Sequence, residues 1–208
     1  YSKERGMIKH IIGTNRGPTT SSRERDFNFI ENYRDMGINF IRTHDFYGPT
    51  DWWEIFPDWN ADVNDENSYQ FATSDEKIVQ IIENGFMCYY RLGISWKGRN
   101  PNPINDPPGT IRDEEENIIH EADREDFKKF AQMCVNIIRH YNDGWNNGFH
   151  YNIQYWEIWN EPDLSAQFWS GTGEQFHVLF EEAVKAIKEY NPDLKVGGPG
   201  ITGGFREP

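Results

Sequence analysis

The sequence predicts an α/β fold of parallel β/α units: a (β/α)8 barrel of which these 208 residues supply strands one to five, as the N-terminal part of a single domain spanning 1–208. Three observations carry that reading. Short apolar runs alternate strictly with amphipathic stretches, as parallel strands joined by crossover helices require. That alternation alone fits a barrel or an open doubly wound sheet. The run Gly13-Thr14-Asn15-Arg16-Gly17, however, matches neither the dinucleotide nor the phosphate-loop spacing expected after the first strand of a nucleotide-binding open sheet. The long loops, at 45–73 and 93–123, both follow the C-terminal ends of strands, where barrel enzymes build their sites.

Taken in order, the apolar run from Ile8 to Thr14 reads as the first strand. Ser21 and Ser22 are placed to cap a helix from Arg23 to Met36, where Phe27, Ile30, Tyr33 and Met36 recur at helical spacing before Gly37. Ile38 to His44 is the second strand. Ser74 is placed to cap a helix with Ile78, Ile81 and Ile82 on one face; Gly85 ends it and Phe86 to Leu92 forms the third strand. Residues 93–123, rich in Pro, Asp and Glu, read as aperiodic loop before a helix from Asp126 to Tyr141 and a fourth strand from Tyr155 to Asn160. A helix from Glu174 to Tyr190 stops at Asn191-Pro192, and Lys195 to Ile201 is the fifth strand.

Composition bounds the partners. A net charge of -13 repels nucleic-acid phosphates and anionic membrane surfaces alike, and the longest apolar stretches are too short to span a bilayer. Aromatic residues make up 15% of the chain, eight of them Trp, enough to build a substantial core. The chain opens at Tyr1 without a leader, which leaves both a secreted and a periplasmic location open. Cys88 and Cys134 lie in apolar runs and read as small core hydrophobes rather than a bridge or metal pair. Asp58, Asn60, Asp62 and Asn64 echo a calcium loop, but Val63 stands where such a loop needs Gly, and no Glu closes it. Asp113 to Glu116 with His120 reads as a charged loop. No metal or cofactor is expected.

Chemistry concentrates at the end of the fourth strand, in Trp156-Glu157-Ile158-Trp159-Asn160-Glu161-Pro162-Asp163. Pro162 prevents the strand ladder from continuing and leaves the Glu161 carboxyl at the mouth of the sheet. Trp156, Trp159 and Trp169 surround it; aromatic faces stack on sugar rings and supply a low-dielectric wall, although core packing is the other reading of these rings. In the second strand, alternation puts Arg42 and His44 on one face, toward the mouth. Glu157, in phase with Trp159 and Glu161, lies roughly 13 Å along the strand from Glu161, against the about 5–5.5 Å that a retaining carboxylate pair requires, so it reads as a buried ion-pair partner. The rings Trp52, Trp53, Phe56, Trp59 and Phe71 read either as a sugar subsite or as a hydrophobic cluster anchoring their loop. Arg16, Arg91, Lys97 and Arg99 lie near strand ends and could face a sugar carboxylate.

The run from Trp156 to Asp163 resembles the acid/base motif of the retaining (β/α)8-barrel glycosidase clan. Within it the sequence is most similar to glycoside hydrolase family 39, the β-xylosidase and α-L-iduronidase group. Ile41-Arg42-Thr43-His44, Glu83-Asn84-Gly85-Phe86-Met87 and Leu194-Lys195-Val196-Gly197-Gly198-Pro199-Gly200 support that choice. The resemblance covers nearly the whole chain. It implies Glu161 as catalytic acid/base, Asn160 as a ligand of the sugar 2-hydroxyl and His44 as a sugar contact; Trp159, by its aromatic face next to Glu161, is the further candidate sugar-binding residue. The resemblance further implies Arg42 as support for a nucleophilic Glu that closes strand seven, so that no nucleophile is expected in this chain. The expected partners are a glycoside or oligosaccharide and the remaining half of the barrel, without which the five strands should be inactive. A carbohydrate-binding barrel that does not hydrolyse is the alternative.

Overall fold

The computed structural model describes residues 12–21, 26–46, 48–95, 105–164 and 167–205. Its centre is a parallel sheet of β1 (Gly13–Asn15), β4 (Phe40–Arg42), β5 (Met87–Leu92), β8 (Tyr155–Ile158) and β9 (Lys195–Gly197), hydrogen-bonded in that order. Within this sheet each neighbour is the next of the five strands in sequence. A doubly wound sheet would reverse direction at a switch point, whereas barrel strands advance monotonically, so the order is that of barrel strands one to five. Among the described residues β1 and β9 are the two edges. Ile8 to Ile11, the start of the predicted first strand, lie outside the described residues.

The two faces of the sheet differ as the pleat dictates. Ile41, Cys88, Tyr90, Leu92, Trp156 and Ile158 are buried beneath the helices. Phe40 and Tyr89, of opposite parity, are half-buried and Tyr155 is exposed; Phe40 meets Tyr155 edge-on at 5.1 Å. The helical layer comprises α3 (Ala72–Ile82), α4 (Arg124–Asp143) and α5 (Gly173–Tyr190), with α4 and α5 packed on each other. Each of the last two begins slightly before its predicted start because a capping box sets the boundary: Asp123 with Asp126, and Thr172 with Gln175. Gly144 ends α4 in the left-handed conformation, φ 77°. No helix of the described residues is long and apolar enough to cross a membrane.

The structure departs from the sequence reading in three places. The helix expected from Arg23 is shorter: α1 spans Ile30–Asp35, and β2 (Thr19–Ser21) pairs antiparallel with β3 (Asp26–Asn28) before it, so Ser21 is a strand residue, while Ser22 and Arg23 lie outside the described residues. The Asn28 side chain accepts from Ile30 N at 3.0 Å and Phe29 N donates to Pro18 O at 2.9 Å, bonds that replace the helical ladder there. Ser74 does not cap α3 but lies buried in its first turn, its hydroxyl donating to Phe71 O at 2.9 Å. The segment 93–123 is not all loop, since β6 (Ile111–Arg112) pairs antiparallel with β7 (Ile118–His120).

In the segment 45–73, a short helix α2 (Trp52–Ile55) and a 3-10 turn at Glu66–Ser68 shape the chain. Phe56 and Phe71 are buried, Trp52 meets Trp59 edge-on at 5.4 Å, and Phe71 stacks on His140 of α4 at 3.6 Å. These rings anchor the segment to the core, the second of the two readings. Cys88 and Cys134 are free and buried, and burial pushes both thiols up.

Candidate active site

Arg42 ends β4 and Glu157 lies in β8, and β5 stands between the two strands. Across that gap the guanidinium closes a fork on the carboxylate, Nε to Oε2 at 2.5 Å and Nη2 to Oε1 at 2.9 Å. Glu157 is therefore the ion-pair partner that its position on the strand predicted. Arg42 Nη2 also donates to Asn160 Oδ1 at 2.8 Å. Because that oxygen is taken, the amide must turn its nitrogen the other way, and Asn160 Nδ2 lies 3.3 Å from Glu161 Oε2. A chain of contacts thus runs from Glu157 through Arg42 and Asn160 to Glu161. Gly200 N adds a donor to Glu157 Oε1 at 3.2 Å. Gly198, with φ 96°, is needed beside it, since a Cβ there would lie 2.7 Å from Glu157 Cγ.

The backbone at this strand end is strained in a way that re-aims its side chains. Trp159 and Glu161 have φ of 67° and 43°, a region that L residues with side chains seldom adopt. The left-handed turn at Trp159 breaks the alternation, so its ring does not follow Glu157. It packs instead on the helical side, 5.3 Å from Trp169 and 5.8 Å from Phe130 of α4, with its indole N–H donating to Phe168 O at 2.8 Å. Trp156, Trp159 and Trp169 are all fully buried, so core packing is the reading of the three rings that this structure carries, and Trp159 presents no open face to a sugar. Glu161 is half-buried, its N–H donates to Gly200 O at 2.7 Å, and its carbonyl accepts from Leu164 N at 2.9 Å.

His44 lies just beyond β4 and is 6% exposed. Its Nε2 is 3.3 Å from Asp45 Oδ1, its ring tilts against Phe168, and its Nδ1 is buried without a partner among the described residues. Burial, with Arg91 and Arg42 nearby, lowers its pKa to about 2, so the imidazole is neutral. Arg91 is not a cation open to substrate: it is fully buried and donates to Asp51 Oδ1 at 2.6 Å, with Ser95 joining both. Lys97 and Arg99 lie outside the described residues. Asp58 and Asp62 accept from Asn60 N and Asn64 N, both at 2.9 Å, the bonds of tight polar turns.

One feature escaped the sequence reading. Asp163 Oδ2 accepts from Thr202 N at 2.9 Å, Thr202 Oγ1 at 2.8 Å, Gly203 N at 2.8 Å and Gly204 N at 2.9 Å, which fastens the turn after β8 to the segment after β9. The glycines at 203 and 204 were its only signal.

Barrel-ordered strands, with an Asn-Glu pair braced at the end of the fourth, define a protein of the (β/α)-barrel class with its candidate functional groups at the C-terminal strand ends. The chain belongs to the glycosyl hydrolases family 39, whose family model matches residues 5–207. It is 27% identical over 212 residues to a beta-xylosidase of Caldicellulosiruptor saccharolyticus, covering 96% of this chain and 39% of that protein. A beta-xylosidase of Geobacillus stearothermophilus is 34% identical over 85 residues, 39% of this chain and 16% of that protein. The crystal structure of a glucosidase from Croceicoccus marinus superposes with a TM-score of 0.71 at 26% identity, covering 96% of this chain and 39% of that one. The chain thus spans about two fifths of the length of the relatives it matches end to end.

Proposed function

We propose that this chain serves a retaining glycoside hydrolase of the β-xylosidase kind, which cleaves terminal glycosidic bonds with Glu161 as acid/base. In the first step a second carboxylate attacks the anomeric carbon, the bond from that carbon to the glycosidic oxygen breaks, and Glu161 gives its proton to that oxygen so that the aglycone leaves as an alcohol. In the second step Glu161 takes a proton from water, which displaces the sugar from the enzyme. On the family resemblance that second carboxylate closes the seventh barrel strand, which is not among these five, so the five strands alone are inactive. Asn160 holds the sugar 2-hydroxyl, His44 contacts the sugar as a neutral imidazole, and Trp159 supports the strand end from behind. Arg42 orients Asn160 and stands ready for the nucleophile.

The observation that carries the reading is the bracing of Asn160. Its amide is fixed by a guanidinium on one side and turned toward Glu161 on the other, at the C-terminal end of a parallel barrel strand. Two relatives bear the name beta-xylosidase and one glucosidase, so xylosides and glucosides are the substrates to try first. Turnover of nitrophenyl β-xyloside or β-glucoside by the full-length protein, with retention seen by NMR of the first-formed sugar, tests the proposal. Binding of such sugars without turnover would favour the non-hydrolytic barrel instead.

A further inference from the structure

We infer that Asp163 is a positioning residue for Glu161, acting through the segment after β9; the inference rests on the acid/base reading of Glu161. Glu161 carries its side chain on a backbone at φ 43°, a conformation that persists only where the surroundings enforce it. Two backbone bonds do so here: Glu161 N to Gly200 O at 2.7 Å, and Leu164 N to Glu161 O at 2.9 Å. The first depends wholly on where Gly200 sits.

Gly200 is tied at its own amide to Glu157, but Ile201 to Gly203 have little to hold them by packing before Phe205 meets Phe176 and His177 of α5. Ile201 is 62% exposed, and Thr202 and Gly203 are exposed as well. What fixes 202–204 is one carboxylate oxygen of Asp163, which takes three backbone N–H groups and a hydroxyl. Successive N–H groups converging on one oxygen form an anion-binding nest, and the bonds are charge-assisted. Burial works to raise the Asp163 carboxyl, yet the donors from Gly203, Thr202 and Gly204 outweigh it and hold the group below the usual carboxylate range. Asp163 stands two residues after Glu161 across Pro162, which has no N–H of its own to offer. The carboxylate and the Glu161 amide therefore grip the same segment from the same turn. Release of one grip loosens Gly200 O, removes the fixed acceptor of Glu161 N–H and lets the strained turn relax, which moves the Glu161 carboxyl.

The test uses the full-length protein and the sugar that the wild type cleaves, comparing kcat/KM for an alkyl glycoside, whose leaving group must be protonated, with that for the 2,4-dinitrophenyl glycoside, whose leaving group need not be. Asp163→Ala should lower kcat/KM at least tenfold on the alkyl glycoside and less than about threefold on the dinitrophenyl one. Asp163→Asn, which keeps a weaker acceptor in place, should lose only about threefold on the alkyl glycoside. A merely structural role would depress both substrates alike. Equal losses on the two substrates, or no loss, overturn the inference; should Asp163→Ala fail to fold, absence of any split in Asp163→Asn does the same. Glu161→Gln is the control. A split in Glu161→Gln without one in the Asp163 variants overturns only this inference, whereas no split in Glu161→Gln removes the acid reading on which it stands.

Discussion

Arg42 and Glu157, separated by 115 residues, meet in a two-bond fork that also sets the orientation of Asn160. Their side chains are 18% and 4% exposed, so the Glu157 carboxylate is cut off from bulk water while the Arg42 guanidinium keeps only a little of it. Glu157→Ala would strand the guanidinium and free Asn160 to rotate. The expected cost is roughly 3 kcal/mol, at the low end for a buried pair because Arg42 keeps some solvent contact, and the melting temperature should fall accordingly. A melting temperature within a degree or so of wild type would show that the fork contributes little.

Glu161→Gln should leave the fold intact, since the half-buried carboxyl adds little to the core, and should remove proton donation worth about 10²–10⁴-fold in kcat/KM on alkyl glycosides. Glycosides whose leaving group departs unprotonated should suffer far less. Equal losses on both, in a variant with wild-type circular dichroism, would refute the acid role.

His44 sets a pH dependence of stability. Its folded-state pKa, lowered to about 2 from the ordinary 6.5, lies below that of the unfolded chain, so the unfolded chain binds the extra proton. The stability is full above the unfolded value and is lost as pH falls through it, at about 1.4 kcal/mol per pH unit. Arg91 and Arg42 reinforce the effect, and the Asp45 carboxylate 3.3 Å away opposes it. In His44→Gln that loss should vanish, so the wild type should lose melting temperature relative to the variant between about pH 6.5 and 5. A difference between the two that stays constant over this window would mean that His44 takes up its proton while folded.

Gly93 is required by the turn at Trp159 that follows β8. A Cβ at this position would stand 2.9 Å from Trp159 Cα and 3.1 Å from its ring, and φ is 154°. Main chain cannot be pushed aside as a flexible side chain can. Gly93→Ala should cost roughly 2 kcal/mol or more and displace the turn that carries Asn160. An unchanged thermal midpoint would show that the contact relaxes freely.

Helical periodicity made α4 and α5 legible, since Phe127, Phe130, Cys134, Ile138 and Tyr141 in the one, and Phe176, Leu179, Ala183 and Ile187 in the other, repeat on one buried face. The strands were legible from their apolar runs, and the Glu157 ion pair from its distance along the strand to Glu161. Parity failed at Trp159, where the left-handed turn reverses the ring, a backbone choice that no side-chain pattern announces. It also missed the state of Arg91: the strand places it near the mouth, but Asp51, 40 residues earlier, folds over it. The pairing of β2 and β3 was hidden because Phe27 and Phe29 suit alternation while Phe27 and Ile30 suit a helical turn. Asp163 reaches Thr202 to Gly204 across 39 to 41 residues, a juxtaposition created only when β8 and β9 lie side by side.

The segment 45–73 is riveted to helix α4. Lys129 of α4 donates to the carbonyls of Trp59 and Ala61, Asn136 donates to Val63 O at 2.8 Å, and the Trp59 indole donates to Asp126 at 3.2 Å. Such a segment is not an interchangeable module. Its shape is written partly in the sequence of a helix more than sixty positions away, so a graft that carries over 45–73 alone would arrive without its rivets. Any recombination meant to alter this side of the molecule has to transplant Asp126, Lys129 and Asn136 together with the loop, and the two stretches should be inherited as a single unit.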